Sequence, residues 1–202
     1  MTDLYKTIAA PATGIYKEKG SKFLSYAYPV FSDEEINNHL SYLRNRFFDA
    51  RHHCYAYMLK ADKSVFRAND DGEPANTGGK PILGQIYSKD LTNILIVVVR
   101  YFGGTLLGVS GLINAYRTAS ADALNNAQIR EQTEKNKYEV LFRYSEMNEV
   151  MKILKDEKID QSEQQFDLEC ALKINIRKSK SDEIIHKLRK IGHVNIKYIL
   201  TL

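Results

Sequence analysis

The sequence predicts an α+β protein of two domains, residues 1–130 and 131–202. Three observations carry this. Ten of the 11 glycines and all 4 prolines lie before about Arg130. The segment 125–136, NNAQIREQTEKN, is polar and is where the linker is expected. Beyond it, the apolar periodicity runs β-α-β-β-α-β from Tyr138 to Leu200, the split βαβ order of a ferredoxin-like domain.

The first half opens with two alternating segments, Thr13–Glu18 and Lys22–Val30. They are joined at Lys19-Gly20 and predict a hairpin. Ser32-Asp33-Glu34-Glu35 is a capping box with Ser32 as N-cap. Behind it Ile36, Leu40, Leu43 and Phe47 recur at helical spacing, predicting a helix to about Phe48. His52–Leu59 and Ser64–Ala68 read as strands, and Asp70–Lys80 as a polar, glycine-containing loop. Pro81 suits the first position of a short helix ending near Ser88. Thr92–Phe102 is apolar on both faces, the pattern of a strand covered on both sides. Gly103–Gly108 is a tight loop, and Ser110–Asn126 a helix with Leu112, Ala115, Tyr116, Ala119 and Ala123 on one side.

In the second half Tyr138, Val140, Phe142 and Tyr144 alternate on a strand, and Ser145 is expected to cap a helix. Strands Ile159–Gln165 and Leu168–Arg177 follow. Ser181 is expected to cap a second helix, closed by Gly192 at its C′ position. Val194, Ile196, Tyr198 and Leu200 form the last strand.

Composition narrows the function classes. The 202 residues are 44% apolar and 27% charged, ordinary for a globular protein and unlike a disordered one. Cys54 and Cys170 are the only cysteines, which excludes a disulfide scaffold and an all-cysteine zinc site and fits a reducing cytoplasm. The longest apolar run, Ile94–Val99, is too short to span a bilayer, and the first residues lack the pattern of a secretory signal. The formal charge of +4 permits a nucleic-acid partner without demanding one.

Three motifs bear on chemistry. In RYFGGTLLGVSG, Arg100–Gly111, a buried strand passes through a glycine loop into a helix, and backbone N–H groups at such a mouth bind anions. Gly103 and Gly108 have P-loop spacing, but Val109-Ser110 stands where that motif requires lysine followed by Ser or Thr. The glycines, Gly104 included, equally serve tight turns and close packing. In DDGEPANTGGKP, Asp70, Asp71 and Glu73 are close enough in sequence to hold a hard cation, or to shape a recognition loop. In HHCYAY, strand alternation puts His52 and Cys54 on one face and His53 and Tyr55 on the other. That is too few ligands for zinc, so Cys54 reads as a core residue and no metal or cofactor is expected. On the second domain's sheet the odd-numbered residues Arg143, Lys173, Arg177 and Lys197 would share the outer face. That face suits phosphate contacts or simple solvation; it lacks the aromatic residues of a sequence-reading RNA platform.

The blocks GSKFLSYAYPV (Gly20–Val30), RHHCYAYML (Arg51–Leu59), DDGEPANTGGKPIL (Asp70–Leu83) and NILIVVVRYFGGTLLGVSGLINAYRTA (Asn93–Ala119) resemble, in order, those of the IMPACT family in its bacterial YigZ-type branch. The resemblance implies a first domain similar to ribosomal small-subunit proteins and domain IV of elongation factor G, and a ferredoxin-like second domain. It also implies work in translation, since eukaryotic members regulate initiation under amino-acid starvation. The chain departs from the family at Leu107-Gly108-Val109-Ser110-Gly111, where a small-Gly-Gly run is usual, and Val109 narrows the helix mouth. The expected protein is a cytoplasmic, monomeric, non-membrane binder of RNA, the ribosome or a translation-linked protein. Its expected contacts are Lys22, Lys80 and Arg100, with Asp71 and Glu73 shaping the loop, His53 and Tyr55 lining the same surface, and Gly103, Gly104 and Gly108 permitting close approach. The outer face of the second domain would add nonspecific phosphate contacts. The alternative is a phosphate- or nucleotide-binding enzyme built on the Gly103–Gly111 loop and the Asp70/Asp71/Glu73 cluster.

Overall fold

A computed structural model describes residues 3–201. The chain is α+β and divides into two compact units. One spans residues 5–132; the other holds Asp3 and Leu4 together with residues 133–201.

The larger unit is built on strands β2 (Ala12–Glu18), β3 (Ser21–Pro29), β4 (His52–Leu59), β5 (Val65–Asn69) and β6 (Ile94–Tyr101). They form an antiparallel sheet in the order β2-β3-β6-β4-β5. Helix α1 (Asp33–Arg46) covers one face, where Ile36 and Leu43 pack on Tyr55, Leu59, Leu95 and Val97. Helices α2 (Gly79–Ser88) and α3 (Gly108–Asn125) cover the other, packing on Cys54, Ala56, Met58, Ile94, Ile96 and Val98. The central strand β6 is therefore buried from Ile94 to Arg100, as its doubly apolar sequence predicts.

The α1 cap forms with one difference. Ser32 Oγ accepts from the Glu35 N–H at 3.2 Å, but Glu35 reaches back to the N–H of Phe31, at 2.7 Å, rather than of Ser32. Helix α2 starts at Gly79, ahead of Pro81, because the Asp70 carboxylate accepts from the N–H groups of Gly78 and Gly79 at 2.9 and 2.8 Å and organises its first turn.

Two strands have no counterpart in the sequence reading. β1 (Leu4–Ile8) and β7 (Ile129–Thr133) pair in a two-stranded sheet, so the polar segment 125–136, within which the two units divide, is ordered as the end of a helix, a strand and the start of the next strand. β7 is IREQT and none of its side chains is buried, so it shows no apolar alternation to detect.

The smaller unit contains β8 (Lys135–Arg143), α4 (Met147–Asp156), β9 (Asp160–Phe166), β10 (Glu169–Arg177), α5 (Ser181–Arg189) and β11 (Val194–Thr201). Its sheet is antiparallel in the order β11-β8-β10-β9. Even-numbered residues such as Val140, Leu172 and Ile174 face inward against Val150, Leu154, Ile184 and Leu188. Three expected caps are absent. Ser145 lies in a 3-10 turn and its hydroxyl donates to Glu146. Ser181 is already helical, and its hydroxyl donates to the Arg177 carbonyl at 3.3 Å. Gly192 does not adopt a positive φ, so it forms no left-handed cap.

Asp3 is buried in this unit. Its carboxylate accepts two Nε–H contacts (2.8 and 3.0 Å) and one Nη2–H bond (2.8 Å) from Arg177, plus the Ser179 N–H at 3.0 Å. The Arg177 guanidinium holds the Asp3 carboxyl well below the usual carboxylate range, against the opposing effect of burial. A depressed carboxyl stabilises fully above its unfolded value of 3.8 and loses that contribution as pH falls toward the folded value. Asp3→Asn should therefore lower the melting temperature at pH 7, with the gap to wild type narrowing between about pH 5 and pH 2 in thermal scans.

Candidate functional site

Arg100 is the penultimate residue of β6, on the side of α2 and α3, where its side chain is 7% exposed. Its Nη1–H donates to Glu73 Oε1 at 2.6 Å, and the same oxygen accepts from the Tyr116 hydroxyl at 2.8 Å. The guanidinium carbon lies 5.4 Å from the Phe23 ring centroid and 5.7 Å from that of Phe102. Burial, with Cys54 and Glu73 nearby, pushes the Tyr116 hydroxyl far above its ordinary value, so it acts as a donor. Arg100 Nε is buried without a partner. Arg100 is thus first an internal cation neutralised by Glu73, not the exposed phosphate contact its sequence position suggested.

The three carboxylates of the DDGEP loop go to three different tasks. Asp70 organises the start of α2. Asp71 accepts from the His53 backbone N–H at 2.7 Å and from Arg44 Nη2 at 2.8 Å, tying β4 to α1. Glu73 pairs with Arg100. They do not converge as a hydrolytic or cation-binding cluster, and no group of three metal-competent side chains occurs among the described residues. Cys54 is fully buried, donates to the Asp70 carbonyl at 2.9 Å, and has its thiol pushed strongly upward by burial, the setting of an inert core cysteine.

In the glycine loop, Gly103 has a packing role. A Cβ there would lie 1.9 Å from the Gly20 carbonyl carbon and 2.0 Å from the Ser21 nitrogen, at the β2–β3 turn. Ser21 Oγ accepts from the Gly103 N–H at 3.1 Å. Beyond it the loop frames a groove of about 460 Å³ at the start of α3. Arg100 and Glu73 line it, with Arg51 and His52 on one side. Phe102, Leu106 and Val109, 55%, 83% and 60% exposed, form the other. His52 Nδ1 sits 2.9 Å from the Asp71 carbonyl; a carbonyl only accepts, so Nδ1 carries the proton in that bond and the opposite ring nitrogen is not used by it.

The expected site residues divide accordingly. Glu73, Arg100 and Gly108 line the groove. Gly103 and Gly104 lie in the loop between Arg100 and Gly108, Gly104 with a positive φ of 86°. Lys80 is exposed in the first turn of α2. Lys22 pairs in register with Tyr101 and alternates with Phe23, so it points to the α1 side, away from the groove. His53 and Tyr55 are buried and also face the α1 side, because odd-numbered β4 residues point there. Burial holds the His53 imidazole below its ordinary value, although the Asp71 carboxylate is 3.9 Å away. On the second unit, Arg177 is engaged by Asp3 and Lys173 by Glu163, while Arg143 and Lys197 are exposed. Sequence reasoning missed Arg51, Phe102, Leu106 and Tyr116, weighed His52 only as a metal ligand, and read Val109 only as narrowing the helix mouth. Strand parity gave the signal for His52, which must share the face of Cys54 and Arg100.

Residues 19–124, which include every groove residue, match the Impact N-terminal domain. The chain belongs to the IMPACT family. It is similar to the IMPACT family member YigZ of Escherichia coli, with 35% identity over 148 residues, 72% of each chain. A crystal structure of a hypothetical protein matches 99% of both chains at 28% identity, with a TM-score of 0.74. The two-domain translational regulator Yih1 matches over 60% of this chain and 47% of its own, at 26% identity and a TM-score of 0.37. Among the described residues, no helix of this IMPACT-family chain is long and apolar enough to cross a membrane.

Proposed function

We propose that this chain is a cytoplasmic, translation-associated binding protein that contacts RNA through the glycine-loop face of its first unit. The observation that carries the reading is the groove at the start of α3. It combines an exposed cation, Arg51, with no ion-pair partner among the described residues, with the exposed Phe102 ring and the N–H groups of a helix mouth. Cations and helix N-termini hold phosphates, and aromatic rings stack unpaired bases. Family membership adds support, because the resemblance on the motif blocks implies a role in translation. The first unit is assigned to the fold shared by ribosomal small-subunit proteins and domain IV of elongation factor G. The second is assigned to the ferredoxin-like fold, supported by its fourth-first-third-second strand order. Its outer face would add phosphate contacts through Arg143 and Lys197, which form no ion pair among the described residues.

The proposed contacts with phosphate rest on three exposed cations, Arg51, Arg143 and Lys197. Log affinity should fall with log salt at a slope near −0.7 per contact on single strands, so about two or three contacts give a shallow dependence. Gel shifts with single-stranded RNA at two salt concentrations, with ribosome co-sedimentation, check this. Arg143→Ala with Lys197→Ala should weaken all sequences alike, because contacts to phosphate carry no base information. Absence of RNA and ribosome binding at low salt would overturn the reading in favour of a protein partner.

A further inference from the structure

We infer that the groove between β4 and the start of α3 takes one unstacked nucleotide of a single-stranded RNA, with its base on Phe102 and its phosphate toward Arg51 and the first turn of α3. This rests on the RNA reading above and gives it a defined ligand unit. A volume of about 460 Å³ falls within the usual range for small-molecule sites, roughly 300–1,000 Å³. The charge inside is unbalanced in favour of an anion. Glu73 is neutralised by Arg100 and also bonded by Tyr116, so it offers no net charge. Arg51 has no ion-pair partner among the described residues, and the 18-residue helix α3 begins at Gly108 without a side-chain cap on its N–H groups. A second feature is a spare donor: Arg100, 6% exposed, lines the groove and keeps its Nε–H unpartnered, which adds a hydrogen-bond donor but no net charge, because Glu73 cancels it.

The choice of a nucleotide over a bare phosphate comes from Phe102. The Arg100 guanidinium stands 5.7 Å from its ring centroid and helps to fix the ring, yet the residue remains 55% exposed. A ring braced from within the protein and open to solvent is a stacking platform for any base, because every base has a π-face. Leu106 and Val109 supply an apolar lip beside it. Stacking without base-edge partners gives little sequence preference, so adenine and uracil nucleotides should both bind, the purine more tightly.

The test is an NMR titration of the full chain with adenosine 5′-monophosphate, uridine 5′-monophosphate, ribose 5-phosphate and inorganic phosphate, alongside gel shifts with a short single-stranded RNA. Both nucleotides should shift amides between Phe102 and Leu112 and bind more tightly than ribose 5-phosphate. Phe102→Ala should weaken nucleotide binding about tenfold while leaving the sugar phosphate unaffected. Arg51→Ala should weaken all phosphorylated probes. Both positions are solvent-exposed, so the variants are expected to fold, and their amide spectra verify it. Equal binding of nucleotide and ribose 5-phosphate, unchanged in Phe102→Ala, overturns the base-stacking inference. RNA binding that persists without any mononucleotide shift at the groove also overturns it, yet leaves the RNA reading intact. Loss of both RNA and nucleotide binding sinks the two together.

Discussion

Glu73→Ala should destabilise the first unit by about 3–5 kcal/mol, because it leaves the Arg100 guanidinium buried and unpaired. The pair is 2.6 Å apart, with side chains 7% and 3% exposed, so little water can replace the lost carboxylate beside the guanidinium. Tyr116 loses its acceptor at the same time. For a chain of this size such a loss corresponds to a fall in melting temperature on the order of 10 °C. Removing both charges should hurt far less. Glu73→Leu combined with Arg100→Met keeps most of the volume and carries no orphaned charge, so it should recover much of the stability. A Glu73→Ala variant that melts within a degree or two of wild type would mean the pair is solvated and Arg100 free for a ligand. The same reasoning makes Arg100→Ala a poor test of RNA binding, since a binding loss would be confounded by damage to the fold. Arg51→Ala separates the two.

Gly103→Ala should cost about 1–3 kcal/mol or more, through overpacking between two backbone segments. The added Cβ meets the Gly20 carbonyl carbon at 1.9 Å and the Ser21 nitrogen at 2.0 Å, and neither neighbour is a side chain that can rotate away. Gly20 itself has φ 77°, so the turn it forms has little freedom to retreat. Gly104 provides the contrast. A Cβ there meets nothing within 4 Å, and only its φ of 86° opposes a side chain. Gly104→Ala should thus be the milder change, near 1 kcal/mol. Chemical unfolding of the two variants checks the ranking; the reverse order would show that conformation, not close approach, governs this loop.

These two residues also mark where the sequence stops being readable. Arg100 is visible as a charge ending an apolar strand, but Glu73 lies 27 positions away and nothing local announces their pairing. The P-loop-like spacing of Gly103 and Gly108 suggests a ligand loop, whereas Gly103 is required by contact with a turn 83 residues earlier in the chain. By contrast β6, the Ser32 cap and the alternating strands of the second unit are legible, because each is written in a short, periodic stretch. Placing His53 and Tyr55 on the glycine-loop surface conflicts with the strand alternation, which separates them from Cys54 and turns them to the α1 side. The β1–β7 pair escaped for the opposite reason, since a ribbon that buries little leaves no pattern.

The measurement that most directly tests the binding face is an RNA titration of the isotopically labelled full chain, followed amide by amide. The largest shifts should fall at Arg51, His52 and Phe102–Leu112, with smaller ones around Arg143 and Lys197 that vanish as salt rises. Shifts confined to the α1 side of the first sheet, or to the second unit alone, would contradict the assignment of RNA to the glycine-loop groove.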